Sequence, residues 1–122
     1  MLFGSEIDVA STETVEVRSL DSMLVELETS LNLGNVFVKL DTQGSDLDVI
    51  RGGSQALPSL SALQTELSFV PIYQGMPSYQ EMLTLLTASG FEIGGFFPVN
   101  HDNRLRLVEA DCVLVNRCEP SR

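Results

Sequence analysis

A chain of 122 residues that is 43% hydrophobic and 20% charged, with mean hydropathy +0.14, has enough apolar surface to offset the entropy of ordering one compact core, which excludes intrinsic disorder. Seventeen acidic side chains against seven basic ones give a net charge of -10, a field that repels phosphate backbones and anionic headgroups and so argues against nucleic-acid and membrane-surface partners. Cys112 and Cys118 lack the spacing and the histidine neighbours of a zinc site, and no apolar run reaches the ~18 residues of a membrane span; both observations predict a cytoplasmic chain with reduced thiols and no metal ligand set.

Residues 1–13 are acidic and poorly periodic and read as a frayed lead-in. From Thr14 to Leu20, Val15 and Val17 alternate with Glu16 and Arg18, which predicts an edge strand with one wet face. Asp21 as N-cap, with Leu24, Leu27 and Leu31 at helical spacing and Asn32 and Gly34 as stop signals, predicts a short helix. The run Val36, Phe37, Val38, Leu40 predicts a parallel strand covered on both faces. A helix follows, with Ser45 and Asp48 in capping-box spacing and Leu47, Ile50, Ser54 and Leu57 on one stripe; Gly52 and Gly53 each cost it about 1 kcal/mol and predict an irregular second half.

Residues 61–70 predict the next strand. Ser78 and Glu81 then open a helix whose stripe is Tyr79, Met82, Leu83 and Leu86, with Gly90 as its stop. Residues 91–99 and 110–116 predict a closing hairpin across the polar turn 100–104. Strand, helix, strand, helix, strand, strand is the pattern of an open α/β sheet, mainly parallel with an antiparallel finish. His101 lies in the polar turn and reads as a surface residue.

Ligands in such sheets sit outside the carboxyl ends of the parallel strands, so polar residues there are the candidates. Lys39 and Asp41 lie on one face of an otherwise apolar strand, and Glu66 lies in the next. Each charge needs a partner or solvent, which predicts a Lys39–Asp41–Glu66 network at the sheet rim. Such a network either pins strand register or forms part of a site. Gly44 permits a tight turn into the helix and close approach of a ligand. Asp46, in the first helical turn, complements the helix dipole whatever else it does. Tyr73 and Gln74 lie in the loop after the second of these strands, where acceptor-binding side chains and plain turn residues are equally expected.

The string from Val17 to Leu24, the run Val38-Lys39-Leu40-Asp41-Thr42-Gln43-Gly44-Ser45-Asp46, and Val49-Ile50-Arg51-Gly52 resemble the FkbM methyltransferase pattern of a leucine-aspartate helix start, a "K-I-D-x-Q-G-x-E" strand end and a "V-L-x-G-A" helix. Residues 63–75 are similar to that family's fifth strand and following loop, and residues 91–98 and 110–115 to its last hairpin, so the resemblance spans residues 14–117, with 118–122 as a tail. Asp46 stands where the family has glutamate, and Gly53 where it has alanine.

The resemblance implies the C-terminal half of a class I, Rossmann-like methyltransferase sheet, strands four to seven, with the seventh antiparallel between the fifth and sixth. It implies S-adenosylmethionine as methyl donor in the intact enzyme and a small hydroxylated molecule as acceptor. It further implies Asp41, Glu66 and Lys39 as catalytic candidates and Asp46, Gly44 and Tyr73 as acceptor-binding ones. The glycine-rich turn and the acidic strand end that grip the cofactor in this family have no counterpart ahead of Thr14, so the chain is expected to bind no cofactor tightly and to be inactive alone. A different expectation follows from the exposed flank of the fourth strand: a stand-alone α/β module that self-associates through that edge.

Overall fold

The computed structural model describes residues 8–70, 74–75 and 77–118. In chain order these form α1 (Leu20–Ser30), β1 (Phe37–Lys39), α2 (Asp46–Arg51), a 3₁₀ turn (Leu57–Ser59), β2 (Ala62–Ser68), α3 (Tyr79–Ala88), β3 (Phe91–His101) and β4 (Leu107–Asn116). The strands make one sheet in the order β1-β2-β4-β3. β1 and β2 are parallel, with Lys39 opposite Gln64. β4 inserts between β2 and β3 and runs antiparallel to both. The last strand thus lies between β2 and its own hairpin partner β3, the placement that was expected of it. The sheet is not mainly parallel in its pairing, however, since β4 takes part in two of the three described ladders.

One face of this sheet makes the core. Leu63, Thr65 and Leu67 of β2 face the same way as Leu114, Cys112 and Ala110 of β4, all at 0–1% exposure. Leu24 of α1, Ile50 of α2 and Met82 and Leu86 of α3 pack onto that layer. Full burial of each such side chain contributes about 1.5–3 kcal/mol, so this layer carries most of the folding energy. The opposite face presents Lys39, Gln64, Glu66, Asp111, Val113 and Val115, none of them buried.

α3 forms as its sequence predicts. Ser78 Oγ accepts from Glu81 N at 3.2 Å, Met82 and Leu86 are buried on the predicted stripe, and Gly90 leaves the helix at φ +96°. α2 stops at Arg51, and residues 52–56 continue as turns, the irregularity that Gly52 and Gly53 predict. The Ser45 side chain makes no capping bond; Thr42 Oγ1 instead accepts from Ser45 N at 2.9 Å.

Three expectations are corrected. Residues 14–19 are not a strand: Val15 and Val17 are 68% and 89% exposed, because an alternating segment holds as a strand only when another supplies its ladder. Arg18 folds onto α1 instead, pairing with Glu26 and donating to Ser22 Oγ. Second, the N-cap of α1 is Ser19, whose Oγ accepts from Ser22 N; of the predicted stripe only Leu24 is buried. Asp21 caps something else, with Ala56 N and Gln55 N donating to its carboxylate at 2.7 and 3.2 Å while its own amide donates to Gly52 O. α1 is thereby clamped to the turn after α2. Gly53 belongs to that clamp, since a Cβ there would lie 2.7 Å from Leu20 Cδ2. Third, β1 is only three residues long and is not covered on both faces, with Phe37 53% exposed.

Candidate active site

β1 and β2 run parallel, so their carboxyl ends open on the same rim of the sheet. Beyond Lys39 the chain passes Asp41 and turns sharply, with Gln43 at φ +54° and Gly44 at φ +116°. Two successive left-handed residues reverse the backbone within a few ångströms, and the second is tolerable because glycine has no Cβ. The reversal sets Asp46 at the start of α2, pointing back into the fold.

Asp46 is buried, at 8% exposure. Thr42 N and Thr42 Oγ1 donate to its Oδ1 at 3.2 and 2.5 Å, and Thr65 Oγ1 donates to its Oδ2 at 2.6 Å. Both carboxylate oxygens are thus engaged by the chain itself, tying the rim loop, α2 and β2 together. That tie goes beyond the helix-dipole role legible in the sequence, and it depends on Thr42 and Thr65, two residues that sequence reasoning missed.

A small pocket opens at this rim. It is floored by Asp41, Thr42 and Gly44 from the loop after β1 and by Asp46 at the start of α2, and walled by Glu66, Leu67 and Ser68 of β2, by Pro77 just ahead of α3, and by Tyr79 and Met82 of α3. It opens to solvent, and its volume of about 20 Å³ has room for roughly one water or one hydroxyl. Asp41, Gly44, Asp46 and Glu66, expected from the sequence, are brought together here.

Lys39 is not brought in. It shares the sheet face of Glu66, being opposite Gln64, but is exposed and makes no ion pair among the described residues. The expected three-residue network is therefore not formed: Lys39 meets solvent on the bare face, and the described ion pairs are made by arginines. Tyr73 lies outside the described residues.

Glu66 stands at the acidic centre of the rim. Partial burial, followed by the charges of Glu109, Asp111, Asp41 and Asp46, holds its carboxyl above the ordinary glutamate range. Asp111 is its direct cross-strand partner on β4. Glu66 is thus a carboxyl that keeps or regains a proton more readily than a solvated one, facing a pocket of hydroxyl size.

Ser68 was also missed. It follows Glu66 by the strand period of two on the face that carries Gln64, so the alternation of polar residues at 64, 66 and 68 was its sequence signal. Its side chain is buried, and its Oγ has no hydrogen-bond partner among the described residues.

Comparison with known proteins identifies the family. The Methyltransferase FkbM domain profile matches residues 2–93, which include both parallel strands and all three helices. The 2-O-methyltransferase NoeI of Sinorhizobium fredii (strain NBRC 101917 / NGR234) is 35% identical over 105 residues, covering 84% of this chain and 37% of that relative. The chain therefore spans little more than a third of the length of the curated relative it matches. No solved structure matches significantly. The chain belongs to the FkbM methyltransferase family.

Proposed function

We propose that this chain is the acceptor-facing part of an S-adenosylmethionine-dependent O-methyltransferase of the class I, Rossmann-like type, acting in the cytoplasm on a small hydroxylated molecule. The observation that carries the reading is Glu66, held above its ordinary range and facing a hydroxyl-sized pocket at the carboxyl ends of two parallel strands. A carboxyl so placed can orient the acceptor hydroxyl and take its proton, because a base works best when its pKa approaches the working pH. Asp41 supplies a second carboxylate at the rim, and Gly44 lets the backbone come close to the acceptor.

The described residues do not fit the grip on S-adenosylmethionine. Ahead of β1 they hold extended chain and α1, with no glycine-rich turn between a strand and a helix. In this reading the cofactor is held by parts of a whole enzyme other than these, and the 122 residues alone transfer no methyl group. No described helix is long and apolar enough to cross a membrane.

The test is a chimera in which this chain replaces its matching 105-residue stretch in the Sinorhizobium 2-O-methyltransferase. Methyl transfer is expected, with Glu66→Gln lowering kcat by about 10²–10⁴-fold, the usual contribution of a positioned acid or base. Undiminished transfer by Glu66→Gln in a folded chimera contradicts the role given to this carboxyl.

A second reading draws on the flank of β1, which pairs only with β2 and leaves its outer edge free within the described sheet. In it the chain is an α/β interaction module that joins a second copy through that edge.

A further inference from the structure

The turn that joins β3 to β4 has no part in the site at the rim. Asp102 builds it: Arg104 N and Arg106 N both donate to its Oδ1 at 2.9 Å, Arg106 Nε donates to its Oδ2 at 2.7 Å, and Leu105 N donates to its carbonyl at 3.0 Å. These bonds hold Leu105 at φ +63°, in the left-handed region that a bulky side chain rarely adopts, and leave it 85% exposed. Among the described non-glycine residues only Gln43 shares that backbone, and Gln43 belongs to the rim loop. A solitary exposed leucine is ordinary, but one fixed in solvent by a strained and fully bonded turn costs the fold something that no contact within it offsets. Arg104 and Arg106 flank it, two of the seven basic side chains in a chain of net charge -10, and Arg104 makes none of the described ion pairs. The hairpin therefore ends in an apolar knob between two cations.

The complementary chemistry lies beside α1. An open groove of about 410 Å³ runs between α1 and residues 55–59, with Leu24, Val25, Leu31 and Leu33 as apolar lining, the carboxylates of Asp21 and Glu28, and no basic side chain. Val25 and Leu31 stand 66% and 55% exposed in it. Knob and groove cannot meet within one molecule. The groove is formed by residues just ahead of β1 and β2, at the amino ends of those strands, whereas β3 runs in the direction of β2 and carries the turn at its carboxyl end. The seven residues of β2 alone put roughly 20 Å between them.

We infer that the β3–β4 turn of one molecule docks into the groove beside α1 of a second copy of this chain, with Leu105 among the groove's leucines and the flanking arginines against its carboxylates. Charge complementarity selects the occupant: in a strongly acidic chain this turn is a basic and apolar projection, and the groove is an acidic and apolar hollow. Because the two surfaces differ and lie at opposite ends of the sheet, the contact is head to tail and leaves a free turn and a free groove at either end of any assembly. This joint is separate from the β1 edge and from the rim.

Sedimentation velocity of the full chain carrying Phe37→Lys, which removes the contribution of the β1 edge, tests it. This parent is expected to form species that grow beyond a dimer with concentration. Leu105→Asp in the turn and Leu31→Lys in the groove are each expected to weaken association about tenfold or more, the loss of one buried leucine side chain. Thermal melts matching the parent show that each variant is folded, and Val25→Lys takes the place of Leu31→Lys if the latter melts lower. An equimolar mixture of the turn variant and the groove variant retains one intact turn and one intact groove, so it is expected to form a dimer and to stop there. A parent that stays monomeric, or a folded mixture that does, overturns the inference. Association lost in Leu105→Asp but unchanged in the folded groove variants places the turn on another surface and overturns it as well. None of these readouts involves Glu66, so the acceptor-site reading stands or falls separately.

Discussion

Thr65 is wholly buried, and its hydroxyl donates to Asp46 Oδ2 at 2.6 Å, so the geometry of the rim hangs on a bond between two side chains 19 residues apart. Thr65→Val keeps the shape and removes the donor, leaving a buried carboxylate oxygen one bond short. It is expected to cost about 1–3 kcal/mol in urea unfolding. A change under about 0.5 kcal/mol would mean that the tie is dispensable. Glu66 makes the reverse case, because burial and four neighbouring acids raise its folded-state pKa above its unfolded value. Its charged form therefore destabilises the fold above the folded pKa, and the penalty vanishes below the unfolded one. Glu66→Gln is expected to melt higher than the wild type near pH 7, with the difference closing as pH falls into the ordinary carboxyl range of about 4. A difference independent of pH would place its origin in packing.

Elements were legible where the signal was local. α3 follows from a capping box and an i, i+3, i+4, i+7 stripe, all within one stretch, while β2 falls within the expected strand 61–70 and β4 extends the expected strand 110–116 back to Leu107. What the sequence concealed depends on distant partners. The alternation at 14–19 looks like a strand, but no described segment supplies a ladder to it, and it remains extended and exposed. Asp21 looks like an N-cap, yet its carboxylate serves amides 34 and 35 residues away. The site shows the same division: Asp41, Gly44, Asp46 and Glu66 stand out as polar residues or a glycine at strand ends, whereas Thr42, Thr65 and Ser68 gain meaning only from what they touch or fail to touch. Asp21→Ala is expected to cost about 1–2 kcal/mol, as loss of a helix cap does, and to loosen α1 ahead of the sheet. Amide hydrogen exchange that speeds up uniformly, with no excess at α1 and residues 52–57, would contradict a local clamp.

At the scale of the molecule, the helices cover one face of the sheet and leave the other open. Phe37 at 53%, Phe97 at 56% and Val115 at 41% exposure stand on that open face among Glu66, Asp111 and Lys39. An uncovered sheet with a free β1 edge recruits other chains, so sedimentation of the 122-residue chain is expected to show dimers or larger species, and Phe37→Lys to shift them toward monomer. A stable monomer at high concentration would count against the open-edge reading. The same openness fits the proposed enzyme reading: the chain covers 37% of the length of its methyltransferase relative, and in that reading the remainder of a whole enzyme would close this face and hold the methyl donor.

Calorimetric titration of the chain with S-adenosylhomocysteine, the demethylated product, tests this division of labour most directly. No saturable heat is expected, because in the proposed reading these residues form the floor of the acceptor site and lack the turn that holds the cofactor. Stoichiometric binding at micromolar affinity would contradict it and place a complete donor site within these residues.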